Sequence, residues 1–106
     1  MIVEMRTYRI KIGAMPAYMK AYQEKGLAVQ TRVLGHMVGW YTTEVGELNQ
    51  VVHMWAYKDL NDRAERRARL FQEPEWLEYL AASRPFLEHQ ENKLLNPAPW
   101  MKLPPS

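Results

Sequence analysis

The segment from Trp40 to Tyr57 constrains the fold of this chain more than any other stretch. Two runs rich in aromatic and β-branched residues flank a short polar segment at Glu44–Leu48, and this pattern predicts two β-strands joined by a turn. Side chains alternate along a strand, so the second run places five of them on one sheet face: Asn49, Val51, His53, Trp55 and Tyr57. A histidine between aromatic rings and an amide indicates a pocket on that face.

Length, charge and cysteine content argue against several classes of protein. A length of 106 residues predicts one domain. The net charge of +2, with acidic and basic residues interspersed, argues against a nucleic-acid partner. The absence of cysteine predicts neither disulfides nor thiolate chemistry and favours a cytoplasmic location. Glu4 and Arg6 interrupt the position of a signal peptide, and no apolar run approaches about 18 residues, so neither secretion nor membrane association is expected.

The first half of the chain predicts a strand, a helix and the two strands of the hairpin. Ile2–Ile10 is short and rich in β-branched residues, which favours a strand. Pro16 suits the first turn of a helix, and apolar residues then recur at three- and four-residue spacing as far as Val29, with Gly35 as the stop. We expect the hairpin strands over His36–Glu44 and Leu48–Tyr57.

The second half predicts a helix, a short helix and a last strand. Asp59 is placed to cap the helix that follows. We expect an apolar stripe of this helix to be buried (Leu60, Ala64, Ala68, Phe71) and its arginines to form a solvated face (Arg63, Arg66, Arg67, Arg69). Pro74 starts a short helix, Pro85 interrupts it, and His89–Leu95 is the fourth strand.

This order of elements predicts an α+β, ferredoxin-like βαββαβ fold with a four-stranded antiparallel sheet and the helices on one face. The domain is expected to span residues 1–97, with 98–106 as an extended Pro-rich tail. We expect the other face of the sheet to be open and to carry a mixed set of side chains (Glu4, Arg6, Tyr8, Asn49, His53, Trp55, Tyr57). A face this aromatic favours cover by a second copy, which predicts a homodimeric barrel that encloses these residues.

The sequence also resembles the NIPSNAP family. The matching motifs are Glu4-Met-Arg-Thr-Tyr8, the hairpin from Gly39 to Tyr57, Asp59 with Arg63, Arg66 and Arg67, then Pro74, Trp76 and the segment Gln90–Pro97. The resemblance implies a dimeric α+β barrel from a superfamily that includes cofactor-independent monooxygenases, haem-degrading enzymes and lactone isomerases. It implies no settled chemistry for the family itself.

Three residues are candidates for catalysis. An imidazole at His53 could transfer a proton, Arg6 could bind a carboxylate or enolate, and Glu4 could act as a base whose pKa rises on burial. Structural roles stay open for all three: a histidine satisfied by a buried partner, and an ion pair between Glu4 and Arg6 that fixes strand register.

The neighbouring aromatic and amide side chains are candidates for ligand contacts: Tyr8, Trp40, Asn49, Trp55 and Tyr57. The hairpin register decides whether Trp40 or Tyr41 faces the same side, since a slip of one residue exchanges them. Packing is the alternative role for these aromatic rings.

No cofactor is expected from local motifs. No two histidines stand at metal-ligand spacing and there is no cysteine, so we predict no metal site. A haem ligated by His53 or His89 is an alternative by analogy with the superfamily. Three functions follow as hypotheses: a homodimer that binds a small molecule in its barrel, a cofactor-independent monooxygenase or isomerase with His53 as acid or base, and a non-catalytic interaction module.

Overall fold

The computed structural model describes residues 1–102 and confirms the predicted topology. Four strands form one antiparallel sheet in the order β2-β3-β1-β4. They are β1 (Ile2–Ile10), β2 (His36–Thr42), β3 (Gln50–Tyr57) and β4 (Leu87–Leu95). The four helices are α1 (Met15–Ala21), α2 (Leu27–Leu34), α3 (Leu60–Leu70) and α4 (Pro74–Ser83). The βαββαβ order with helices on one face is the ferredoxin-like arrangement.

The first helical segment is continuous but not uniform. A single π-helical turn, Tyr22–Gly26, joins α1 to α2, and the apolar periodicity gave no sign of it. Gly26 lies under the ring of Tyr79, where an added Cβ would stand 3.0 Å from two ring carbons. A glycine is therefore required for the close approach of this turn to α4. Gly35, at φ 91°, ends α2 as expected.

The hairpin is shorter than the sequence indicated. β2 ends at Thr42 and β3 begins at Gln50, so the predicted strand limits at Glu44 and Leu48 are wrong. Asn49 belongs to the turn, where it adopts a left-handed φ of 62°, and its carbonyl accepts a hydrogen bond from the Ile10 amide at 2.7 Å. An asparagine tolerates this conformation better than a β-branched residue does. Asn49 consequently does not share the strand face of His53.

Helix α3 is oriented opposite to the prediction. Asp59 caps it as expected, accepting from the Asp62 amide at 2.8 Å. However, Leu60 and Phe71 are 59% and 44% exposed, and Ala64 and Ala68 are exposed as well. Leu70 is buried instead, beside three half-buried arginines (Arg63, Arg66, Arg67). The predicted apolar stripe is wrong because ionic contacts orient this helix.

Arg66 provides one of those contacts. Its guanidinium pairs with Asp62 at 2.8 Å and donates to the carbonyls of Val33 and Leu34, at 3.3 Å each. Those carbonyls lie at the end of α2, where a cation is favoured by the unsatisfied acceptors. The contact fixes α3 against α2.

The helices cover the sheet face that was expected to be open. Glu4 is paired across the sheet with Trp55, and Arg6 with His53. Glu4, His53, Trp55 and Tyr57 are all buried, and Trp55 and Tyr57 pack with residues of α2, α3 and α4 in the main core. The assignment of these side chains to the uncovered face is therefore wrong.

The uncovered face carries the alternate residues of the same strands. Its centre is formed by Val3, Met5 and Thr7 of β1 and by Val52, Met54 and Ala56 of β3. Tyr41 of β2 lies on this face and is 55% exposed. The uncovered face is thus largely apolar.

The segment after β4 begins with a turn in which the Met101 amide donates to the Ala98 carbonyl at 2.9 Å. Trp100 is 80% exposed within that turn. The predicted extended tail spans residues 98–106, of which 103–106 lie outside the described residues. Among the helices of residues 1–102, none combines the length and the apolar character needed to cross a bilayer.

Candidate functional site

A cavity of about 220 Å³ lies between the sheet and the helices of one chain. The sheet contributes Arg6, Tyr8 and His53 to its wall, and the helices contribute Tyr22, Arg67 and Trp76 among others. Its volume is below the range of pockets for drug-sized ligands, roughly 300–1,000 Å³. The cavity therefore suits a small organic molecule.

Glu4 organises the charged side of this region. Its Oε2 accepts hydrogen bonds from Arg6 at 3.0 Å, from Arg63 at 2.7 Å and from Asn92 at 2.8 Å. Burial alone would raise the pKa of Glu4, but the hydrogen bonds from Arg63 and Asn92 and the two guanidinium charges outweigh burial and lower it to about 2. Glu4 is thus an ionised anchor at neutral pH. A base with a raised pKa, as the sequence suggested, requires the opposite shift.

Arg6 reaches from this anchor to the cavity. Its Nε donates to the Tyr8 hydroxyl at 2.9 Å while its Nη1 donates to Glu4. The guanidinium carbon also lies 5.6 Å from the centre of the Tyr8 ring, within the range of a cation–π contact. Two directional bonds therefore fix the guanidinium before any ligand binds.

His53 is held as a neutral ring in one tautomer. The indole Nε1–H of Trp55 donates to His53 Nδ1 at 2.7 Å, and an indole nitrogen can only donate. Nδ1 must accept, so the proton of the neutral imidazole lies on Nε2. Burial and then the nearby charge of Arg6 lower the pKa of His53 to about 3. In the described part of the chain, no protein group accepts a hydrogen bond from Nε2.

Arg67 is a cavity residue that the sequence did not single out for this role. It extends from α3, its guanidinium lies 5.7 Å from the centre of the Phe71 ring, and no carboxylate among residues 1–102 lies within 4.0 Å of it. Burial and the charge of Arg6 lower its pKa. One feature of the sequence could have predicted this position: the spacing of Arg63, Arg67 and Leu70 places all three on one face of α3.

Aromatic rings complete the wall. Tyr22 stacks on Trp40 with ring centres 5.0 Å apart, and Trp40 stacks over His53 at 6.1 Å. The Tyr22 hydroxyl donates to Gln30, and the Tyr79 hydroxyl donates to that of Tyr18. Burial raises the pKa of both Tyr18 and Tyr22, so these hydroxyls stay protonated.

The structure brings together only part of the predicted site. Arg6, Tyr8 and His53 line the cavity, whereas Glu4 and Trp55 hold them from behind. The register places Trp40 opposite His53 and directs Tyr41 outward, and Trp40 lines a second groove beside α1. Tyr57 lies in the core and Asn49 in the turn, away from the cavity wall.

Neither a metal nor a haem matches the residues present. Residues 1–102 contain no group of three or more His, Asp or Glu side chains placed to hold a metal ion. His53 already accepts from Trp55 at Nδ1, and a cavity of about 220 Å³ is too small for a porphyrin. His89 lies exposed on the edge strand β4, 3.8 Å from Glu91.

The architecture defines the class first: an α+β protein of ferredoxin-like topology. A solved structure of a putative antibiotic biosynthesis monooxygenase from Nitrosomonas europaea shares this fold, with a TM-score of 0.68 at 14% identity over 92% of this chain and 98% of that one. At this identity the likeness concerns the fold alone.

The family follows from closer matches. The NIPSNAP family matches residues 3–102, and the chain belongs to that family. A NIPSNAP family protein of unknown function from Agrobacterium tumefaciens is 47% identical, with a TM-score of 0.93 over 97% of this chain and 93% of that one. NipSnap homolog 2 of Danio rerio is 28% identical over 91% of this chain and 33% of its own length. The chain spans about a fifth to two-fifths of the length of the curated relatives it matches.

Proposed function

We propose that this protein binds a small organic molecule in the cavity beneath its helices. The observation that carries the proposal is the composition of the wall: the guanidinium groups of Arg6 and Arg67 and the imidazole of His53 line it in partly or fully buried positions, although burial of charge is costly. Arg6 and His53 are each fixed by a partner on the far side from the cavity. Preorganised polar groups in an otherwise aromatic pocket are typical of ligand sites.

Native mass spectrometry of the full chain purified from its own host tests this proposal. We expect a retained small molecule that dissociates on activation. Leu80 lines the cavity from α4, so Leu80→Trp should fill it and abolish retention. Leu77→Trp is the matched control, since Leu77 is 49% exposed on the same helix and does not line the cavity. Retention by both variants alike would refute the cavity as the binding site.

The functional unit in this proposal is a homodimer joined through the uncovered face. Met5, Val52 and Met54 are only half-buried at the centre of that face in a single chain. Apolar sheet surface of this kind is normally covered, and a two-fold pair is the commonest arrangement. The dimer thus forms a barrel between the two sheets, whereas each ligand cavity stays within one subunit. The cytoplasmic location suggested by the absence of cysteine also stays a prediction.

A second candidate function is turnover of the cofactor-independent type, as a monooxygenase or isomerase. One observation favours it: the neutral His53, with its proton on Nε2, lines the same partly open cavity as its strand-pair neighbour Arg6. Such a donor and a cation stabilise a developing enolate or oxyanion. A neutral imidazole used in this way acts as an electrophile, so His53 would donate a hydrogen bond, with no role as a base.

A further inference from the structure

The charges around the cavity do not balance. Three partly buried guanidinium groups, those of Arg6, Arg63 and Arg67, stand near a single carboxylate, that of Glu4. The exposed Arg84 is a further cation at the cavity wall, where solvent screens its charge. Within residues 1–102, Glu4 is the only carboxylate within 4.0 Å of any of the three. Because Glu4 stays ionised at neutral pH, it offsets one positive charge and leaves two.

Arg67 holds the excess at the cavity wall. Arg6 and Arg63 both reach Glu4 directly, whereas Arg67 reaches no carboxylate among the described residues. A partly buried guanidinium without a counter-ion is expensive, and the charge of Arg6 adds to that cost. The guanidinium also points a planar set of donors that suits the two oxygens of a carboxylate.

Two uncharged groups of the same cavity wall are also donors. His53 offers Nε2–H, since its other nitrogen is occupied by Trp55. Trp76 lines the same cavity, and its Nε1–H is fully enclosed without a partner in the described part of the chain. An indole nitrogen only donates. A wall of cations and neutral donors favours an acceptor with negative charge.

We infer that the cavity takes a small organic carboxylate, with its two oxygens bound by Arg67 and one of them within reach of His53 Nε2–H. This inference rests on the proposed binding function and names the chemical class of its ligand. The apolar part of the acid packs against side chains such as Phe71, Leu80 and Leu87, which line the rest of the cavity. The small volume limits that part to a ring or a short chain.

Matched acids and amides separate the charge from the shape of the ligand. Isothermal titration of the full chain with benzoate and benzamide, and with hexanoate and hexanamide, measures the preference for a carboxylate. We expect at least one acid to bind about tenfold more tightly than its amide, the difference that one charged hydrogen-bonded contact supplies. In Arg67→Gln the preference should fall below about threefold, while amide binding changes little.

Two further variants guard against trivial outcomes. Arg67→Lys keeps the charge without the planar fork and should retain part of the preference if the fold is intact. Arg69→Gln removes an equal charge from an exposed position of α3 and should leave the preference unchanged. An equal loss in Arg69→Gln would overturn the assignment to Arg67.

The remaining outcomes distinguish this inference from the proposed function. One such outcome is that amides bind as tightly as acids while both compete with the molecule retained from the host. In that case the cavity binds ligands but not through their charge, so the carboxylate inference fails and the proposed binding function remains. If none of the four compounds binds and no molecule is retained from the host, both proposals fail.

Discussion

The two faces of the sheet reverse the usual distribution of polar and apolar side chains. The face beneath the helices buries Glu4, Arg6 and His53, whereas the uncovered face presents Met5, Val52 and Met54. Buried ionic groups are often replaceable by apolar ones without loss of stability. Their presence under the helices agrees with the proposed ligand site, and the apolar face agrees with the proposed homodimer.

The largest expected effect comes from removing the buried anchor. Glu4→Gln leaves Arg6 and Arg63 near the cavity without a counter-charge, so we expect the free energy of unfolding to fall by about 3–5 kcal/mol. Urea denaturation at pH 7 measures it. Glu91→Gln, an exposed change on β4, should cost less than about 0.5 kcal/mol. A loss below about 1 kcal/mol in Glu4→Gln would mean that the network is not structural.

Next in size is the hydrogen bond that fixes the imidazole. Trp55→Phe removes the donor to His53 Nδ1 and some buried volume, which should cost about 2 kcal/mol. Nitrogen NMR should show a single Nε2–H tautomer in the parent and a mixture in the variant. Trp100→Phe is the control, since Trp100 is 80% exposed. A mixture already present in the parent would contradict the assigned tautomer.

The third effect depends on pH. Burial and Arg6 lower the pKa of His53 from 6.5 to about 3, so between these values the unfolded chain binds a proton that the folded chain does not. Its contribution to stability is complete above pH 6.5 and is lost as pH falls, by about 1.4 kcal/mol per pH unit.

His53→Gln removes this contribution to the pH dependence. Urea denaturation at intervals from pH 7 to pH 4 should give a shallower slope for the variant than for the parent. Glu4 contributes below about pH 4.5, where its own lowered pKa takes effect, so the range from pH 6 to 5 isolates His53. Equal slopes in that range would show that His53 is protonated normally in the folded state.

The smallest effect on the single chain is expected on the uncovered face. Met54→Gln should change the unfolding free energy of the monomer by no more than about 0.5 kcal/mol. It should weaken the dimer about tenfold or more, because both copies lose an apolar contact. Urea denaturation measures the first quantity and sedimentation equilibrium measures the second, in both cases with the exposed Lys11→Gln as control. A parent that is monomeric at all concentrations would refute the proposed dimer.

The topology could be predicted because strand alternation and glycine and proline positions are local signals. Alternation also predicted which side chains of β1 and β3 share a sheet face, and it correctly grouped Glu4 and Arg6 with His53 and Trp55. What alternation cannot show is which face the helices cover. In the sequence, a face that carries a carboxylate, a guanidinium and an imidazole has the composition of a solvent-exposed face. Only the hydrogen-bond partners of these groups, which the structure reveals, show that the face is buried.

The same limit explains helix α3. The sequence pattern of its alanines and leucine predicted a buried apolar stripe. However, Arg63 is oriented by an acceptor on β1 that is 59 residues away in sequence, and Arg66 by acceptors on α2 that are 32 and 33 residues away. Long-range ion pairs leave no periodic trace. The sequence therefore did not predict Arg67 as a site residue, although its spacing from Arg63 placed the two on the same helix face.

The π-helical turn between α1 and α2 allows the buried faces of these two helices to point in different directions. A regular helix turns by about 100° per residue, whereas the five-residue turn Tyr22–Gly26 accommodates one residue more than an α-helical turn would. Deleting one residue such as Gln23 would restore the α-helical pattern and rotate Tyr18 away from its partner Tyr79. The position of Tyr18 in the cavity wall is thus set by a single residue of chain length.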